Sequence, residues 1–259
     1  MDIAVLSLIA IFVFLIAFVY SNMGLGGGML FTPLLVAFAV ADKDTLVCIS
    51  LFLVLATSVA AAYNHGVAKL VKYKYGLLLA SFSIPGSILG VLVGLEIHAR
   101  IFYVLFAMLS CAVGAKMLYD TLYARNTCVV RNVSLPGYVA VALIAFFAGM
   151  VSAMFGVGGG IFNVPVLLYL LYCQTKEASG TSSFTICLTS LGGIFTNAVL
   201  LPTFTTSLYF AIPLVFFAFF GALLGSRIGI KKLKEKSLRI IFISMLFVAA
   251  IQMLIEAFF

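Results

Sequence analysis

The chain has 259 residues, 64% of them hydrophobic and only 9% charged, with a formal net charge of +7 and a mean hydropathy of +1.27. Soluble domains carry about 25% charged residues, so this composition excludes a water-soluble globular protein and indicates a polytopic membrane protein. The basic residues sit in short stretches between apolar runs, which reads as membrane topology and argues against a nucleic-acid partner.

The first predicted element is a helix over 3–22, with no charged residue between Asp2 and Asp42. It lacks a basic start, and its apolar run is too long for a cleavable signal. It ends at the signature Gly24-Leu25-Gly26-Gly27-Gly28, after which a short helix is expected over 29–40. About a dozen residues at 1.5 Å each reach roughly 18 Å, too little for an apolar core of about 30 Å. The break therefore falls inside the membrane, and the two helices form a re-entrant hairpin. Helices over 44–64, 75–95 and 98–122 follow, then a polar linker over 123–134. The second set runs 135–154, a break at Gly156-Val157-Gly158-Gly159-Gly160, then 161–173, 176–200, 208–230 and 236–258.

The second set copies the first. The glycine signatures stand 132 residues apart, and at that offset Pro33 matches Pro165, Ser50 matches Ser182, and Thr57-Ser58 match Thr189-Ser190. Gly86, Gly90 and Gly94 also recur as Gly221, Gly225 and Gly229, the small-residue spacing of closely packed membrane helices. Residues 1–122 and 135–259 thus read as two membrane repeats. Their equivalent loops carry opposite charge. Lys69, Lys72 and Lys74 follow the third helical piece of the first copy, whereas 202–207 of the second has no charge and Arg227 to Arg239 are strongly basic. The positive-inside rule then makes the repeats inverted, each a hairpin plus three crossings. Both termini face the periplasm, and 65–74, 123–134, 173–177 and 227–239 face the cytoplasm.

Two broken helices at equivalent places point to a transporter binding its substrate between the copies. The expected site is the backbone N–H groups of Gly26, Gly27, Gly28 and Met29 and of Gly158, Gly159, Gly160 and Ile161, where helix starts bring partial positive charge to an anion. Polar residues at helical spacing flank each break: Ser50, Thr57, Ser58 and His65 in one copy, Ser182, Thr185, Thr189, Ser190 and Asn197 in the other. Asn163 is the best polar candidate at the second break; its equivalent is Phe31. The alternative is structural: glycines that only permit close packing, and hydroxyls bonded to their own helix. Lys116 lies late in its helix and is expected to snorkel to the interface. No aspartate or glutamate stands at mid-membrane, which argues against a carboxylate proton relay or cation site. No metal or cofactor is expected, and the five cysteines, with no CxxC pair, read as small apolar residues.

Taken together, the residues Gly24 to Pro33, Gly156 to Pro165, Thr57-Ser58 with His65-Gly66, and Thr189-Ser190 resemble the TauE/SafE family of sulfite and organosulfonate exporters over nearly the whole chain. The resemblance implies an inner-membrane carrier of small anions such as sulfite, thiosulfate, sulfoacetate or taurine. The position equivalent to His65 is Asn197, so that histidine is not duplicated. The expected function is transport of a small sulfur-containing anion by alternating access, with any coupling ion left open. An anion channel using the same breaks is the alternative within transport. A membrane-embedded hydrolase or transferase is the alternative outside it, resting only on His65 near Thr57 and Ser58.

Overall fold

A computed structural model describes residues 3–38, 40–123, 135–232 and 235–258; the linker residues 124–134 lie outside the described residues. The described chain is α-helical throughout: α1 (Ile3–Tyr20), α2 (Gly28–Ala37), α3 (Lys43–Val67), α4 (Tyr73–Glu96), α5 (Ala99–Tyr123), α6 (Leu135–Phe155), α7 (Gly160–Pro165) running on through a π turn (Val166–Leu170), α8 (Thr175–Leu200), α9 (Phe204–Lys232) and α10 (Glu235–Phe258). The sequence-predicted boundaries agree to within about four residues, because each falls at a glycine break or a polar loop. Asp42 caps α3 by accepting from the Thr45 N–H at 3.3 Å. Gln174 and Glu177 form a reciprocal capping box at the start of α8. Gly27 and Gly159 precede α2 and α7 at φ 83° and 69°, a left-handed conformation that glycine adopts without strain.

The two hairpins have unequal arms. Among the described residues, six helices are long and apolar enough to cross a bilayer: α3, α4, α5, α6, α8 and α9. The first arm of the second break, α6, is long enough to span, whereas Val5–Tyr20 of α1, Gly28–Ala37, Gly160–Leu170 and Ile243–Phe258 of α10 are shorter apolar helices. Pro165 has no N–H to give, and the helix resumes beyond it with the wider π spacing.

Packing joins each half of the chain to the other. Gly86, Gly90 and Gly94 of α4 lie against Phe146, Met150 and Met154 of α6, so these two helices run parallel. Gly221, Gly225 and Gly229 of α9 lie in the same way against Phe14, Phe18 and Asn22 of α1. The contacted positions are themselves equivalent in the 132-residue register. α3 and α8 cross the centre antiparallel, with His65 against Gly180 and Leu51 against Gly193. On the rim, α5 and α10 pair antiparallel, with Arg100 stacked over Phe258 at 5.2 Å. At one end, Lys72 and Glu177 meet at 2.8 Å and tie the start of α4 to the start of α8. That contact raises the pKa of Lys72.

Apolar side chains fill the core and cover the outside as well, and hydroxyls are buried among them. Leu8, Ile11 and Leu15 of α1, Leu143 and Phe147 of α6, and Phe216 and Phe220 of α9 are exposed, while Ser50, Thr57, Ser182 and Thr189 are buried. Hydrocarbon outside and hydroxyls inside fit lipid as the solvent.

Candidate functional site

The glycine breaks cross each other at the centre of the fold, backbone against backbone. Gly28 rests on the Gly156 carbonyl and Val157, and Gly160 rests on the Gly24 carbonyl and Leu25, so a methyl group at either would overlap main-chain atoms. Gly26 and Gly158 each lie against both Val54 of α3 and Ile186 of α8. Side chains from the long central helices hold the turns. The Ser50 hydroxyl donates to the Gly156 carbonyl at 2.8 Å, and its equivalent Ser182 donates to the Gly24 carbonyl at 2.6 Å. Thr32 donates to the Phe155 carbonyl at 2.9 Å.

The helix starts themselves are left unpaired. Phe31 N–H donates back to the Gly27 carbonyl and Asn163 N–H to the Gly159 carbonyl. The N–H groups of Gly26 to Met29 and of Gly158 to Ile161 make no hydrogen bond among the described residues, although all eight residues are buried. A buried N–H without a partner costs about 1–3 kcal/mol, so a ligand that accepts from these groups gains by binding.

A cavity of about 530 Å³ approaches this crossing from one end. It lies between α5 and the short arm α7, and reaches Leu25 and Ile161, each adjoining its break. Its wall carries the cationic side chains Lys116 and Lys176, with His65 and Asn22, and no carboxylate among the described residues. Lys116 stands 5.5 Å from the centre of the Tyr169 ring. Among the described residues the lining is apolar with two cationic groups and no carboxylate, a character that suits an anionic guest. At the opposite end, Lys43, Asp44, Met154 and Asn197 surround only about 10 Å³. Lys43 is committed there, donating to the Gly94 carbonyl at 2.8 Å and to the Ile97 carbonyl, and pairing with Asp44 at 3.1 Å.

The sequence-predicted residues divide into three groups. Gly26 to Met29 and Gly158 to Ile161 come together at the crossing, and Ser50 and Ser182 brace it. Of the flanking polar residues, only His65 lines the cavity. Thr57, Ser58, Thr189 and Asn197 are buried but donate to carbonyls of their own helices, those of Leu53, Leu55, Thr185 and Gly193. Thr185 donates both to Thr181 of α8 and to Gly76 of α4. Asn163 and Ser190 keep a buried oxygen without a partner. Lys116 is on the cavity wall, which its position late in an apolar helix did not reveal. Asn22, two residues before the first glycine signature, and Ser179, one turn into α8, also line the cavity; the sequence reading did not single them out.

Residues 9–253 match the family described as Sulfite exporter TauE/SafE. The chain belongs to the TauE/SafE family. Among similar proteins, the probable membrane transporter protein YunE of Bacillus subtilis is 26% identical over 92% of this chain and 93% of its own length. A probable membrane transporter protein of Methanocaldococcus jannaschii is 28% identical over 96% of both chains. No solved structure matches. The TauE/SafE assignment makes this chain a multi-pass membrane transporter rather than an enzyme. In agreement, His65 Nδ1 meets the Ala61 carbonyl at 2.8 Å, and the nearby Thr57 and Ser58 hydroxyls are engaged with backbone.

Proposed function

We propose that this TauE/SafE transporter carries a small sulfur-containing anion, such as sulfite, thiosulfate or an organosulfonate, by alternating access. The halves 1–122 and 135–259 act as inverted repeats about the crossing of the two glycine breaks. The observation that carries this reading is that crossing: two sets of buried, unpaired N–H groups meet where an anion-favouring cavity ends. The anion is held by Gly26 to Met29 and Gly158 to Ile161. Asn163 assists, because its buried carboxamide can turn to present its NH₂ group. The braced hydroxyls keep the turns in shape rather than touching the anion.

The magnitudes suit a carrier. Each helix start contributes up to about 2 kcal/mol when partly buried, and hydrogen bonds to a charged ligand contribute about 1.5–3 kcal/mol each. Desolvation of the anion offsets much of this, leaving an affinity of roughly micromolar to millimolar. Such a site can release its cargo.

A thermal-shift screen of the purified protein with sulfite, thiosulfate, sulfate, sulfoacetate and taurine tests the reading. At least one anion should raise the unfolding midpoint in a saturable manner. Gly27→Leu and Gly159→Leu should abolish that rise while leaving inserted protein, since both positions need a left-handed backbone. Unchanged anion response in both variants would place the site elsewhere.

A further inference from the structure

Lys43 breaks a local rule. It stands in the first turn of α3, where the helix start carries partial positive charge and favours acidic residues. Asp42 and Asp44 on either side fit that preference, and the lysine does not. Its ammonium instead leaves α3 and reaches the end of α4, where carbonyls lack partners in their own helix and carry partial negative charge. It donates to the Gly94 carbonyl at 2.8 Å and to the Ile97 carbonyl, and it pairs with Asp44 at 3.1 Å. Its three donors thus meet three acceptors. One largely buried side chain ties the first turn of α3 to the last turn of α4.

The pocket around this tie is built from the counterparts of the open cavity's walls. Lys43, Gly94, Met154 and Asn197 enclose about 10 Å³. At the 132-residue offset Lys43, Met154 and Asn197 correspond to Thr175, Asn22 and His65, and Gly94 corresponds to Gly229 in the glycine rows. All four counterparts line the 530 Å³ cavity. Equivalent walls therefore meet at one end of the fold and stand apart at the other. What differs is the residue placed to cross between them. Lys43 bridges the closed pair of helix ends, whereas Thr175 is uncharged and too short to carry a donor across the open pair. On the alternating-access reading above, we propose that Lys43 is the lock of the closed end. Opening that end requires its ammonium to leave the α4 carbonyls, and threonine at the counterpart position makes no such demand at the cavity end. The tie biases the empty protein toward the state with the cavity open.

The test reads both ends, by N-ethylmaleimide labelling of full-length protein cleared of its native cysteines and carrying one reporter. Ala153→Cys reports on the closed pocket and Ala112→Cys on the open cavity. In the parent the cavity reporter should react many-fold faster than the pocket reporter. Lys43→Met removes the charge at similar length, and Lys43→Thr copies the counterpart residue. Each should speed labelling of the pocket reporter several-fold and slow that of the cavity reporter. Movement in opposite directions marks a shift between two states, whereas loss of a merely structural tie would loosen the fold and speed both. An independent arm leaves Lys43 in place: Thr175→Lys with Lys176→Asp transplants the lysine–aspartate pair to the cavity end and should slow the cavity reporter. Unchanged rates or faster labelling at both reporters in the Lys43 variants, or a parent-like cavity rate in the transplant, would overturn the lock. These rates need no ligand. A lock that fails here leaves the anion reading to the thermal screen, and a blank screen removes the anion reading without touching the lock.

Discussion

At the scale of single residues, the hydroxyls separate by where their hydrogen bond goes. Ser50 and Ser182 reach across to carbonyls of the opposite glycine break, and removing either hydroxyl leaves a buried carbonyl short of a donor. Hydrogen bonds between membrane helices average about 0.6 kcal/mol and reach about 1.7. The enclosed position of these two puts Ser50→Ala and Ser182→Ala toward the upper figure. Thr57 and Thr189 instead bond a carbonyl one turn back on their own helix, a local bond that adds little to stability. The unfolding midpoint in detergent should therefore fall clearly for the two serine variants and hardly move for Thr57→Ala and Thr189→Ala. Equal losses in all four would show that the stripe acts as a unit and that the bracing role is wrong.

At the scale of elements, the small-residue rows on α4 and α9 set how closely parallel helices approach. A methyl group at Gly90 would overlap the Met150 carbonyl, whereas one at Gly94 would sit 3.4 Å from the nearest atoms of Met154. Overpacking of this kind costs typically about 1–3 kcal/mol. Gly90→Ala should thus lower folded yield and the unfolding midpoint, and Gly94→Ala, one turn away in the same motif, should leave both nearly unchanged. Identical behaviour of the two would contradict the close approach at Gly90. The elements themselves were legible in the sequence, since apolar runs, glycine breaks and charged loops mark most boundaries; at the uncharged turn with Pro202 the predicted start of α9 falls four residues late. Gly86, Gly90 and Gly94 also announced a tight helix contact. Their partner was not legible: nothing in the sequence of α4 says that it packs on α6 of the other half. Lys116 escaped for a similar reason. A lysine near the end of an apolar helix reads as snorkelling to the interface, and only the placement of α7 opposite turns that same position into a cavity wall. The paired breaks were recognisable because glycine signatures repeat in register, while for the hydroxyl stripe spacing along a helix fixes a common face but not what the face bonds to.

At the scale of the molecule, one end differs from the other in charge and in openness together. The cavity is lined by His65 at the end of α3, Lys116 late in α5, and Lys176 at the start of α8. The basic stretch with Lys69, Lys72 and Lys74 continues directly from His65, so the open end and the basic loop share one face. Positive charge in short loops marks the cytoplasmic side, and the open cavity is therefore expected to face the cytoplasm, with both ends of the chain on the other side. Single cysteines in a background cleared of native ones test this in intact cells. Leu70→Cys should resist a membrane-impermeant maleimide until the membrane is permeabilised, and His98→Cys, in the balanced loop between α4 and α5, should react from outside. External labelling of Leu70→Cys would reverse the orientation. The consequence reaches the transport cycle, because orientation decides which pool of anion the empty cavity samples. With the basic face inside, the open cavity is expected to exchange anion with the cytoplasmic pool.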